Sequence, residues 1–399
     1  MAVESRRRLL AVGEGLRATG YGRAMESVLG RLSGAFEVVL FAVDYRGELP
    51  DGERRGFEVR ANRVAGDNYG YEQLPGLLDE LDPDVVLLHR DSSFFPMHAA
   101  TLDAYRARRP GARVVAYCPL DWSRVRPALA SADLLVLYTR WGLAAAERAF
   151  AGAGISAPSM AVIPHGVDRS LFAPLVPGDP AASRAAARRL LFGSDQLDGT
   201  FIVLNANRNQ KRKRIDLTLR GFALFARDRP DARLYLHMGM RDLGWDVPAL
   251  AAELGIADRL LTTTSSPDRP AVPDAELNLI YNACDVGVNT AAAEGWGLVS
   301  FEHAATGAAQ VVPDHGACAE LWRDGRALLV PCERDGRGRE VVSAEGVADA
   351  LGRLHDDAPL RSSLAQRAYA HATSDGFSWD TIARQWEGLL AAEPASRSW

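Results

Sequence analysis

The chain has 399 residues, 47% of them hydrophobic and 24% charged, which supplies apolar surface for a large core and points to two domains. Its formal net charge of −5 argues against a dedicated nucleic-acid or membrane-surface protein. No apolar run reaches the roughly 18 residues of a transmembrane helix, and the apolar stretch in "MAVESRRRLLAVGEG" is too short for a signal peptide, so a cytoplasmic protein without a transmembrane segment is expected.

In chain order, apolar β-branched runs alternate with helical patterns, the signal for parallel sheets with crossover helices. The first set is "LLAVG" (9–13), "EVVLFAV" (37–43), "DVVLLH" (84–89), "RVVAY" (113–117), "DLLVLY" (133–138) and "MAVIP" (160–164). Such continuous apolar runs predict strands buried on both faces. Residues 165–198, rich in Pro, Ala, Gly and Ser with a dense Arg patch, read as a linker plus a short amphipathic helix. A second set follows: "FIVLNAN" (201–207), "ARLYLHM" (232–238), "LLTTT" (260–264), "DVGVNT" (285–290), "AQVVP" (309–313) and "ALLVP" (327–331). The tail "FSWDTIARQWEGLLAA" predicts a terminal helix with Ser378 as N-cap. The expected architecture is two doubly wound Rossmann-like α/β domains in series, residues 1–180 and 181–375. Cys118, Cys284, Cys318 and Cys332 lie far apart without CxxC or Cys/His spacing, against a disulfide framework or zinc site. About half are expected to be buried as small apolar residues.

The stretch "DVGVNTAAAEGWGLVSFEHAATG" reads as a strand, a short loop ending near Glu294, and a helix whose first turn lies at Gly297 to Ser300. Unpaired amides at a helix start, with Gly295 and Gly297 allowing close approach, suit a phosphate. Glu294 stands before that turn and Glu302 about one turn beyond it. Two acidic acceptors flanking an anion site fit a ligand with hydroxyls at both ends and phosphate between them, a nucleoside diphosphate sugar. The same residues also read as a dipole-favoured acid and one solvated Glu. After "FIVLNAN", the run "RNQKRKRID" places Arg208 and Lys213 at the carboxyl end of a strand, where open α/β sheets bind ligands. A guanidinium fork and an ammonium there suit a departing diphosphate. A small nucleic-acid patch and a solvated basic loop remain open for that run.

Together, "NRNQKRKRID", "EGWGLVSFEHAATG" and "VIPHGVDRSLFAP" (162–174) resemble the family-4 retaining glycosyltransferases of the two-domain GT-B fold, in order and over nearly the whole chain. The resemblance implies two Rossmann-like domains facing across a cleft, with helix 376–399 packing back on the first. It implies that Glu294 contacts donor sugar hydroxyls and Glu302 grips the ribose. It further implies that Arg208 and Lys213 hold the diphosphate, with Asn207 beside them and the backbone of Gly295, Trp296, Gly297, Leu298 and Val299 completing the cradle. The nucleobase is expected near the loop after "LLTTT". The donor is expected to be UDP- or GDP-linked, with no cofactor and no metal. Transfer is expected to retain anomeric configuration, bond cleavage leading to an oxocarbenium-like centre beside the leaving diphosphate.

The first domain is less informative. "GEGLRATGYGR" (13–23) reads as a glycine-rich turn between the first strand and first helix, without the full dinucleotide fingerprint. The resemblance makes Gly20, Tyr21 and Gly22 acceptor-side candidates, although a plain tight turn needs the same glycines. Many relatives carry a histidine after the strand corresponding to "RVVAY", where this chain reads "CPLDW". Asp121 and His89 are the candidates for that place. His165 in "PHGVD" is read as structural, and His315 as either a cap or a ligand contact. The acceptor is expected to be a small molecule, glycan or glycolipid, and the chain a monomer or homodimer. A sugar-nucleotide epimerase or hydrolase on this fold, and a non-catalytic sugar-nucleotide-binding module, are the competing functions.

Overall fold

The structure, a computed structural model, describes residues 6–16, 19–47, 55–120, 126–193, 196–268 and 270–392. The chain divides into two compact units, Met1–Gly166 with Trp379–Trp399, and Val167–Ser378.

The first unit runs β1 (Arg8–Gly13), α1 (Gly20–Leu32), β2 (Glu37–Ala42), β3 (Glu58–Ala61), α2 (Leu74–Leu81), β4 (Val85–His89), α3 (Phe94–Arg108), β5 (Arg113–Tyr117), β6 (Leu134–Leu137), α4 (Arg140–Ala153) and β7 (Ser159–Val162). The strands form one parallel sheet in the order β3-β2-β1-β4-β5-β6-β7. Leu9 through Val12 of β1 are fully buried, as expected of a central strand covered by helices on both faces. All six expected strands form. β3 is an addition to them, because "EVRA" is half polar and gives neither an apolar run nor clear alternation. The segment holding Gly20, Tyr21 and Gly22 is not a turn but the first turn of α1, capped by the Thr19 hydroxyl, which accepts from the Gly22 amide at 2.9 Å.

The second unit runs α5 (Pro180–Phe192), β8 (Phe201–Asn205), α6 (Ile215–Ala226), β9 (Ala232–Leu236), α7 (Val247–Glu253), β10 (Leu260–Thr262), α8 (Asp274–Ala283), β11 (Val286–Val288), α9 (Leu298–Ala304), β12 (Ala309–Pro313), α10 (Gly316–Trp322), β13 (Leu328–Val330), the hairpin strands β14 (Cys332–Arg334) and β15 (Glu340–Val342), α11 (Ala344–Asp356) and α12 (Ala358–Ala372). Its six-stranded parallel sheet has the order β10-β9-β8-β11-β12-β13. The last helix, α13 (Trp379–Ala391), belongs to the first unit. There Trp386 packs edge-on against Tyr117 of β5 and Asp380 pairs with Arg31 of α1 at 2.5 Å.

The division falls at 166/167 rather than at 180/181, and the cause is local. The backbone of Ala173 and Leu175 is bound by Asn278 and Asn282 of α8, and Phe172 packs on Tyr281. What composition marks as a linker is stitched onto the second unit. Arg188 of α5 donates to the Asp285 carboxylate at 2.7 Å, which fixes that helix to the same unit.

One device recurs in both sheets. Asp84, Asp133 and Asp285 stand just ahead of β4, β6 and β11, and each accepts the first free amide of the adjacent strand: Arg8, Val114 and Ile202, at 2.7 to 2.8 Å. A carboxylate there satisfies a donor the ladder leaves over and pins the register. β4 pairs with β1 and β11 with β8. These are the places where each strand order reverses direction, the crevice at which open α/β sheets bind ligands.

Candidate functional site

The loops leaving β8 and β11 converge at the carboxyl edge of the second sheet. Arg212 donates to the Ala293 carbonyl and its own carbonyl accepts from the Ala292 amide, both at 2.8 Å. Within this stitched pair, Lys213 and Glu294, 81 residues apart, form a buried ion pair. Each side chain is 9% exposed. The Lys213 ammonium also donates to Asn207 Oδ1 at 2.9 Å.

Burial pushes the Glu294 carboxyl up, but the Lys213 ammonium and the Arg212 guanidinium outweigh it and hold the group below the usual carboxylate range; the Trp296 amide helps. Burial lowers the Lys213 ammonium from its ordinary value, against the pull of Glu294. Each group thus favours the charged form of the other.

A buried polar chain sets this geometry. Asn207 donates to Asn205 Oδ1 at 3.0 Å, Asn205 donates to the Thr218 hydroxyl at 2.9 Å, and Thr218 lies 2.8 Å from the Thr290 hydroxyl. Thr290 in turn reaches the carbonyls of Lys213 and Arg214 at 3.1 and 2.9 Å. Arg214 has φ +50°, a left-handed conformation that costs a non-glycine residue energy. The two carbonyl contacts hold that kink next to Lys213.

Arg208 is placed differently. Its Nε and Nη2 fork onto Asp242 at 2.6 and 3.2 Å, with Arg208 42% and Asp242 12% exposed. Asp242 sits in the loop after β9. Asn209 binds that loop through the carbonyls of Gly239 and Trp245 and the Trp245 amide. Lys211 lies 4.0 Å from the centre of the Trp245 ring. The basic run is thus held by specific contacts while Arg208 and Lys211 stay exposed.

Glu302, in the second turn of α9, is 4% exposed, and its Oε2 accepts from the Tyr281 hydroxyl at 2.9 Å. The helix starts at Leu298 with Gly297 as cap at φ +94°, a conformation that favours glycine. Leu298 and Val299 are half-buried in the first turn. Trp296 does not line the loop with its ring, which stacks on Phe301 at 4.8 Å in an aromatic cluster with Phe377. Its amide serves Glu294 instead. Gly295 is buried beside it. His315 precedes α10, and its Nε2 contacts the Ala291 carbonyl at 2.9 Å, steadying the same loop.

In the first unit, His89 ends β4 fully buried, its Nε2 2.8 Å from the Tyr138 hydroxyl and its ring stacked on Tyr117. Burial, and His165 nearby, keep it neutral. Tyr21 meets His89 edge-on at 5.3 Å between ring centres, so these two candidates come together. Gly20 is exposed and Gly22 buried in the helix turn. His165 is 4% exposed and bonded to the Tyr117 hydroxyl at 2.8 Å. Asp121 lies outside the described residues. Glu14 and Arg90, 3.1 Å apart, bridge the ends of β1 and β4. Among the described residues no group of three or more His, Cys, Asp or Glu side chains is placed to hold a metal ion, and no helix is long and apolar enough to cross a membrane.

Asp242, Tyr281 and Thr290 escape sequence reasoning. Tyr281 falls on the apolar face of α8 with Leu277 and Ile280 and so reads as core, while Asp242 belongs to no motif.

Residues 220–388 match the family described as glycosyl transferase-like. The D-inositol 3-phosphate glycosyltransferase of Corynebacterium aurimucosum is 31% identical over 242 residues, 59% of this chain and 52% of that protein. The mannosylfructose-phosphate synthase of Agrobacterium fabrum is 25% identical over 59% of this chain and 48% of its own length. The chain spans about half the length of the curated relatives it matches. Among solved structures, Anabaena Alr3699/HepE in complex with UDP and glucose superposes with a TM-score of 0.71 and 17% identity, over 97% of this chain and 100% of that one. The chain therefore has the GT-B fold and a glycosyl transferase-like carboxyl-terminal region, and in both it resembles the family-4 glycosyltransferases.

Proposed function

We propose that the chain is a glycosyltransferase that moves a hexose-type sugar from a UDP- or GDP-linked donor to a hydroxyl of a small-molecule or glycan acceptor, with retention of configuration. The observation that supports this most is the buried Lys213–Glu294 pair at the carboxyl edge of one sheet, at its direction-reversal point, with Arg208 and Glu302 carried on the same two connections beyond β8 and β11. In this reading Arg208 and Lys213 take the diphosphate's charge without a divalent metal. Lys213 has three donors, of which Asn207 and Glu294 use two, and the third serves a phosphate oxygen. Cations held in place by a buried network stabilise charge that develops on the leaving group without reorganising, usually the main source of rate enhancement in such sites. Glu294 takes donor sugar hydroxyls and Glu302 the ribose. The acceptor hydroxyl enters on the face the diphosphate leaves, passing its proton to a phosphate oxygen.

The two named relatives are a glycosyltransferase for D-inositol 3-phosphate and a synthase of mannosylfructose phosphate, so phosphorylated polyols are the acceptors to try first. The test is turnover of UDP- and GDP-hexoses with and without such acceptors, reading diphosphate release and the anomer of the product by NMR. Transfer with the donor's configuration, lost in Glu294→Ala, is expected. An inverted product overturns the retaining mechanism, and free sugar formed at the same rate without acceptor overturns transfer in favour of hydrolysis.

A further inference from the structure

Resting on the reading of Glu302 as the ribose acceptor, we propose that Tyr281 is a positioning residue that sets this carboxylate and thereby makes the site discriminate ribonucleoside from 2′-deoxyribonucleoside diphosphates. Tyr281 is 1% and Glu302 4% exposed. The phenol donates to Glu302 Oε2 at 2.9 Å. The donor is held by a rigid ring: Tyr281 lies in the last turn of α8, packed between His303 at 5.7 Å and Phe172 at 5.5 Å, centre to centre. A glutamate side chain has three rotatable bonds, and its terminal torsion is broad. One charge-assisted hydrogen bond from a fixed partner removes that freedom and aims the carboxylate.

The consequence is specific. A carboxylate aimed in advance accepts the ribose hydroxyls without first paying for its own ordering, whereas a ligand lacking the 2′-hydroxyl gains little from the aim. Loss of Tyr281's hydroxyl must therefore weaken ribonucleotide binding and leave deoxynucleotide binding nearly unchanged. A tyrosine that only fills the core gives another pattern, because a loosened α8 weakens both ligands alike.

Calorimetric titration of UDP against 2′-deoxy-UDP, and of GDP against 2′-deoxy-GDP, reads this directly in wild type and Tyr281→Phe. In wild type the ribo form is expected to bind roughly tenfold tighter, one hydroxyl–carboxylate bond. In Tyr281→Phe that ratio is expected to fall to within about threefold, through the ribo arm alone. A ratio unchanged from wild type, or a parallel loss in both arms, overturns the proposal. If the phenylalanine variant fails to fold, para-methylphenylalanine at position 281 fills the same volume without a donor, and the same two outcomes apply. A wild type that binds none of the four diphosphates overturns the donor-site reading itself, which separates that failure from this one.

Discussion

At the scale of single residues, the site rests on charges that cannot be removed one at a time. Replacing Lys213 with Met leaves Glu294 buried with its principal counter-charge gone. Breaking a buried pair in this way costs about 3–5 kcal/mol, mostly as uncompensated charge. Lys213→Met is expected to be destabilised by that amount in urea denaturation, and Lys213→Met/Glu294→Gln by clearly less. Equal destabilisation of the single and double variants contradicts the account of the pair. The residues of this site are unequally legible. Glu294, Glu302, Arg208 and Lys213 stand in local strings whose spacing is visible without a structure. Tyr281 and Asp242 act through partners 21 and 34 positions away, and each looks ordinary where it stands. Trp296 reads as a donor contact because it sits inside the motif, but its size and apolar surface send the ring to Phe301.

At the scale of elements, the aspartates ahead of β4, β6 and β11 do more than begin a strand. Asp285 accepts the Ile202 amide and pairs with Arg188, whose side chain is 8% exposed, and with Arg184 at 3.2 Å. It joins α5, β8 and β11, the last two being strands whose loops carry Lys213 and Glu294. Asp285→Ala leaves the Arg188 guanidinium buried and the amide unpaired, and a loss of about 3–5 kcal/mol is expected. Thermal or urea unfolding checks this, and a loss under about 1 kcal/mol contradicts it. Strands with continuous apolar runs are all legible as elements, with ends within two residues of the expected bounds. β3 and the β14–β15 hairpin are not. They are three or four residues long and partly exposed, each with at least one charged residue, so neither periodicity nor hydrophobicity marks them, and their pairing comes from the tertiary fold. The Gly20–Gly22 segment misleads because glycine is common both in turns and near helix starts. The deciding residue is Thr19, whose hydroxyl caps the helix.

At the scale of the whole molecule, two doubly wound units account for the alternating pattern, and α13 groups with the first unit, a placement that the amphipathic run alone does not give. The position of the division is not legible, because composition marks residues 165–198 as linker whereas the asparagines of α8 and Asp285 claim residues 173–188 for the second unit. The central proposal is that this unit binds a nucleoside diphosphate and that Arg208, braced by Asp242, contributes positive charge to it. Isothermal titration with UDP, GDP, ADP and dTDP, on wild type and on the half-exposed Arg208→Ala, tests it most directly. An arginine–phosphate hydrogen bond contributes about 1.5–3 kcal/mol, so one diphosphate is expected to bind and to lose roughly ten- to hundredfold in affinity in the variant. Binding of none of the four, or equal affinity in Arg208→Ala, contradicts the account.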